Sequence, residues 1–285
     1  MRIVIGVDWS DQAFAAVTQT FLLYSPTDVT LVHGAELGIL EHPFVAQAGN
    51  VQGYDDFRHA MVDSGSQLLD RAAAMVPAEV ASIRKVNEIG SPAQIILDSA
   101  KNLSADLVVV GVRGRSRLSE VVLGSVSHRV LLHSSRPTLI VRGAARKVQR
   151  VLVAIEDRED ADRIVKWLTQ HPFADPTKLC VLHALVPIGV HDPYGALGTG
   201  TWWEGAERYA EELVKSTAGK LANPYYTVST KVSTGNPAAV IEEEAKTMDL
   251  VVVTSHGRKG LSRFLLGSVS HTVVHHVTCP VLVLR

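Results

Sequence analysis

The chain has two cysteines, Cys180 and Cys279, too few for a disulfide framework. It also lacks a charge bias: 28 Lys and Arg stand against 29 Asp and Glu, a formal net charge of -1. A global electrostatic draw toward nucleic acid or an anionic membrane is therefore not expected. No apolar run approaches the roughly 20 residues of a membrane span. The N-terminal stretch from Met1 turns acidic at Asp8, too soon for a signal peptide, so a cytoplasmic location is expected. Several catalytic signatures are missing as well. There is no G-x4-G-K-[ST] phosphate loop, no G-x-S-x-G elbow, and Gly6 stands alone where a dinucleotide fingerprint needs three glycines.

What the chain does have is apolar material. At 285 residues and 30.8 kDa, 46% of it is hydrophobic, with mean hydropathy +0.14. That excludes disorder and suits two folded domains.

The two domains are copies. LSEVVLGSVSHRVLLHSSRPTLIVR from Leu118 to Arg142 matches LSRFLLGSVSHTVVHHVTCPVLVLR from Leu261 to Arg285. Upstream, Gly90-Ser91-Pro92-Ala93 matches Gly235-Asn236-Pro237-Ala238, and Asp106 to Val110 matches Asp249 to Val253. Ile3 to Asp8 corresponds to Val151 to Glu156 in the same order. A duplicated domain follows, at 1–143 and 149–285, with Gly143 to Gln149 as the linker.

Within one repeat, Ile3 to Val7, Val29 to His33, Ala81 to Ile89, Leu107 to Val110 and Thr138 to Val141 read as strands. Helices are expected at Asp11 to Leu23, Tyr54 to Met75, from Pro92, and from a Ser125 cap to about His133. Strands alternating with helices imply an α/β fold, a parallel sheet covered on both faces. Gly195 to Gly205, which holds Thr201-Trp202-Trp203, reads as a long irregular segment, either a lid or partner contact or simply loop packing; its counterpart is Leu37 to Gly53.

Ligands of such sheets bind beyond the carboxyl ends of the strands. Val7-Asp8 closes the first strand there, and Gly111-x2-Gly114-x9-Gly124-Ser125 leaves the fourth. Glycines let backbone amides approach an anion, and a helix N-terminus offers free N–H donors. Arg113, Arg115 and Arg117 supply guanidinium groups beside the loop. Turn glycines and a simple helix cap are the alternative explanation of the same residues.

These residues in combination resemble the universal stress protein family. The resemblance rests on G-x2-G-x9-G-[ST] after D-L-V-V-V, on the preceding G-x-P-A, on the Val-Asp opening strand and on the Cys279-Pro280-Val281-Leu282-Val283 ending. It covers nearly the whole chain twice. It implies two tandem doubly wound, five-stranded Rossmann-like sheets with strand order 3-2-1-4-5. It also implies binding of ATP or a related adenine nucleotide, with Mg²⁺ as the accompanying ion. Carried over by position, Gly111, Gly114, Gly124 and Ser125 would hold phosphates with Arg115, and Val126 and Ser127 would add donors. Asp8, after Val7, would sit by the ribose or the metal, and Gly34 would meet the adenine. Family members also pair through their last strands, which implies pairing of the two domains and a homodimer.

In the second repeat the corresponding residues are Glu156, Ala184, Thr254, Gly257, Arg258, Gly267, Ser268, Val269 and Ser270. Thr254 replaces the first glycine and Glu156 the aspartate, so this repeat is expected to bind more weakly or stand vacant.

Other constellations carry less. His271 and His275 lie four apart, but Thr272 occupies the glutamate place of H-E-x-x-H, so no metal site is expected. Ser127 and His128 are adjacent on a helix and point apart, which excludes a catalytic pair. The expected function is a nucleotide-binding regulatory module. A slow ATPase and a ligand-free dimerisation protein are the alternatives.

Overall fold

The computed structural model describes residues 1–36, 54–112, 123–187, 199–255 and 266–285. The chain divides into two compact units, one of Met1–Phe21 with Ser25–Ala145, the other of Leu22–Tyr24 with Arg146–Arg285.

The first unit runs β1 (Arg2–Gly6), α1 (Asp11–Leu23), β2 (Asp28–Ala35), α2 (Tyr54–Ala73), β3 (Ser82–Ile89), α3 (Pro92–Asn102), β4 (Leu107–Gly111), α4 (Ser125–His133) and β5 (Thr138–Val141). Its strands order as β3-β2-β1-β4-β5. The pairings of β1 with β2 and β4, of β2 with β3 and of β4 with β5 are all parallel. The apolar runs explain this arrangement. Ile3, Val4 and Ile5, Leu107 to Val110, and Leu139 to Val141 are buried throughout, as parallel strands covered on both faces must be. β3, at the edge, exposes Arg84 and Lys85 instead.

The second unit repeats the plan: β6 (Arg150–Ala154), α5 (Arg158–Gln170), β7 (Thr177–Leu185), α6 (Thr199–Leu221), β8 (Tyr226–Thr234), α7 (Pro237–Ala245), β9 (Leu250–Thr254), α8 (Ser268–His276) and β10 (Val281–Leu284). Its strand order, β8-β7-β6-β9-β10, is the same arrangement. α5 begins at an N-cap, Asp157, whose side chain accepts from the Asp160 backbone N–H at 2.9 Å. It buries Ala161, Ile164, Trp167 and Leu168, one helical stripe. The glycines of the two G-x-P-A motifs have φ of +149° at Gly90 and +153° at Gly235, a region other residues avoid. Each turns the chain just before a helix whose first residue is proline.

Two expectations change. The cap of α4 is Gly124, in an extended conformation, and Ser125 is the first helical residue. The segment from Gly195 to Gly205 is not irregular throughout, because α6 already begins at Thr199 and carries Thr201, Trp202, Trp203 and Gly205 within it. Trp203, Ala206, Ala210, Leu213 and Thr217 continue one helical stripe, which outweighs the roughly 1 kcal/mol that a helical glycine costs. Residues 37–53, the counterpart in the first repeat, lie outside the described residues. Among the described residues no helix is long and apolar enough to cross a membrane.

Candidate functional site

In the second unit, β6 pairs with β9 in the register Val151↔Leu250 and Val153↔Val252. This brings Glu156 and Thr254 to the same sheet edge, at the carboxyl ends of the strands. A cavity of about 470 Å³ opens there, within the usual size of small-molecule sites. Glu156, Ala184, Thr254, Gly267, Ser268, Val269 and Ser270, all expected from the sequence, line it together. Gly257 and Arg258 lie outside the described residues.

The polar part of the wall is a connected network. Thr254 Oγ1 donates to Asp160 Oδ1 at 2.6 Å, and the Glu156 backbone N–H donates to Asp160 Oδ2 at 3.3 Å. Ser270 Oγ donates to the Thr254 carbonyl at 2.5 Å, and the Gly267 N–H donates to the Ser255 carbonyl at 2.8 Å. The amides of Ser268, Val269 and Ser270 open α8 and have no intrahelical acceptor at those positions. Asp160 is only 6% exposed. Burial pushes its carboxyl up to about 6, against the Thr254 hydrogen bond, which pulls it down.

The remaining wall is apolar and aromatic, with Trp203 and Tyr209 of α6 facing Ile155, Leu185 and Ile241. Trp203 is fixed by its ring N–H, which donates to Glu207 Oε1 at 2.6 Å. His183, at the end of β7, sets its Nδ1 3.1 Å from the Ile155 carbonyl. Burial lowers its affinity for a proton, so the ring is neutral at pH 7. A carbonyl only accepts, so Nδ1 carries the hydrogen and Nε2 is left as an acceptor. Cys180 is half-buried, and burial pushes its thiol up, which makes it a poor nucleophile.

The first unit builds the same edge from different side chains. Asp8 Oδ1 accepts from the Ser10 backbone N–H at 2.8 Å and from the Ser10 hydroxyl. His33 Nδ1 meets the carbonyl of the buried Val7 at 2.9 Å, as His183 meets Ile155. Gly34 leaves no room for a Cβ, which would stand 2.6 Å from Pro92 Cα. A Cβ on Gly111 would stand 2.5 Å from the Gln12 carbonyl oxygen, so this glycine lets α1 close on β4. Ser127 is buried and donates its hydroxyl to the Gly124 carbonyl at 3.0 Å, while Ser125 is exposed and Val126 half-buried at the start of α4. Gly114 and Arg115, with Arg113 and Arg117, lie outside the described residues.

The model of the universal stress protein family matches residues 1–142 and again 147–285. The chain belongs to the universal stress protein family. A universal stress protein of Mycolicibacterium smegmatis is 32% identical over 294 residues, covering 99% of this chain and 96% of that protein. One from Mycobacterium tuberculosis is 25% identical over 295 residues, covering 99% of this chain and 96% of its own. Among solved structures, a universal stress protein from Archaeoglobus fulgidus superposes with a TM-score of 0.63 at 20% identity, covering 100% of this chain and 96% of that one. A putative universal stress protein of Pseudomonas aeruginosa gives 0.62 at 14%, covering 99% and 92%. These structures share the fold.

The chain is thus a tandem universal stress protein whose two copies carry different side chains at this edge. Counted along the sequence from the strand-end carboxylates Asp8 and Glu156, Gln12 in the first copy takes the place of Asp160 in the second, and Gly111, directly after the matched Asp106 to Val110, takes that of Thr254. Sequence reasoning noticed Thr254 and missed Asp160. Laying the repeats side by side would have shown both changes.

Proposed function

We propose that this universal stress protein is a regulatory module that binds an adenine nucleotide, ATP or a close relative with Mg²⁺, at the carboxyl ends of its central strands. The first repeat holds the stronger ATP site and the second a weaker one. The observation that carries this reading is the cavity of about 470 Å³ at the β6–β9 edge, which takes the opening amides of α8 into its wall. A helix N-terminus in a pocket at this position favours an anionic group, and the apolar face opposite suits a ring. The first repeat keeps Asp8, Gly111, Gly114 and Gly124-Ser125 in sequence, with three arginines beside them.

Occupancy acts as a signal only where the ligand has different affinities for two states of the protein or its assemblies. Thermal denaturation with ATP, ADP and AMP, with and without Mg²⁺, tests the reading. Ligand at about 100 times its Kd adds roughly 2.7 kcal/mol of stability. Gly114→Val and Asp8→Ala should diminish the shift. No shift with any nucleotide, or full shifts in both variants, contradicts it.

A further inference from the structure

We propose that Asp160 is a specificity-determining residue that makes the second-unit cavity a site for an uncharged, nucleoside-like ring ligand and sets it against a nucleoside polyphosphate. The inference rests on the adenine reading above and specifies it for one of the two sites.

The geometry is that of a fixed negative charge inside a binding cavity. The Asp160 carboxylate lines the cavity and is held by two donors, the Thr254 hydroxyl and the Glu156 backbone N–H. Among the described residues, no Lys or Arg lines that cavity. Arg163, on the same helix, is engaged with Glu159 at 2.7 Å. Of the charges that act on Asp160, Asp157 opposes its ionisation and Arg163 favours it, with the effect of Asp157 the larger, and Arg163 does not line the cavity. With its carboxyl raised to about 6, Asp160 is still ionised at pH 7.5. Like charges brought together at a partly buried site repel more strongly than in water. A phosphate chain drawn toward the opening amides of α8 meets that repulsion.

Two features argue that the charge is built in. The difference between the repeats is paired: Gly111 abuts the backbone of Gln12, whereas Thr254 bonds the side chain of Asp160. The side chains at this approach of helix to strand differ between the units, and the neutral Gln12 puts no charge at it in the first. The rest of the cavity also suits a ring. Trp203 and Tyr209 offer aromatic faces, and the neutral His183 offers Nε2 as an acceptor for a ligand donor.

The full chain labelled with 5-fluorotryptophan reads the two sites separately by ¹⁹F NMR. Trp203 reports the cavity and Trp9, next to Asp8, the first unit; Trp203→Phe and Trp9→Phe assign the signals. Titration with adenosine and ATP at pH 7.5 should shift Trp203 with an adenosine Kd at least tenfold below that of ATP. In Asp160→Asn that ratio should fall at least tenfold. Should that variant fail to fold, Gln12→Asp makes the converse comparison, and the adenosine preference read at Trp9 should rise at least tenfold. ATP binding at Trp203 as tightly as adenosine, an unchanged ratio in the variants, or a Trp203 signal silent to adenosine overturns the inference. A response to ATP at Trp9 alone leaves the functional reading standing. Silence of both signals to every adenine compound removes both.

Discussion

Thr254 and Asp160 join the carboxyl end of β9 to the first turn of α5 through a buried hydrogen bond of 2.6 Å. Thr254→Val keeps the shape and deletes the donor. The carboxylate then loses its stronger partner in a site where burial already disfavours its charge. The expected cost is about 1–3 kcal/mol at pH 7.5, with the Asp160 carboxyl moving above 6. Urea denaturation and an NMR titration of the carboxyl carbon measure the two effects.

Asp160 also gives the protein a pH signature. Its folded-state value of about 6 lies above the ordinary 3.8, so the folded chain holds this proton more tightly than the unfolded one. Stability is therefore highest below pH 4 as far as this group is concerned. It falls as the pH rises from about 4 to 6, by about 3 kcal/mol for a shift of this size. Asp160→Asn removes that slope. It also leaves the Glu156 amide facing an altered partner, which costs about 1 kcal/mol. The net expectation is a Tm at pH 7.5 raised by about 2–6 °C, and a flatter stability profile between pH 4 and 6.

His183 works in the opposite direction. Its proton affinity is lowered in the folded state, so its share of stability is present above pH 6.5 and is lost as the pH falls below that value. His183→Leu leaves the Ile155 carbonyl without its ring donor and should cost about 1–3 kcal/mol at pH 7.5. The gap between variant and parent should narrow toward pH 5. Chemical denaturation at the two pH values checks it.

Gly111 tests the first unit. An alanine there would set its Cβ 2.5 Å from the oxygen and 2.7 Å from the carbon of the Gln12 carbonyl, both backbone atoms that have no rotamer to move. Gly111→Ala should destabilise the unit by about 1–3 kcal/mol. The measurement is again denaturation, in the absence of nucleotide.

The fold was legible because its signals are local and repeated. Buried runs such as Leu107 to Val110, the G-x-P-A turns and the copied LGSVSH stretch each carry their own period and breaker residues, twice over. The β-order came from the family resemblance, since no single strand states its neighbours. The site was legible only where glycines or strand ends mark it. Asp160 escaped because an acidic residue in a first helical turn, after Arg158 and Glu159, reads as a charge serving the helix dipole. Only the approach of β9 shows it bonded to Thr254 inside a cavity. The helical start of α6 escaped for a different reason. Its glycines suggested a loop, and the stripe that opposes them becomes apparent when Trp203 and Ala206 are counted with Ala210.

Equilibrium dialysis of the full chain against labelled ATP with Mg²⁺ at pH 7.5 tests the central claim most directly. The account predicts one tight ATP site per chain, lost in Gly114→Val, and a second of markedly lower affinity. Two equal sites, or none, would contradict it.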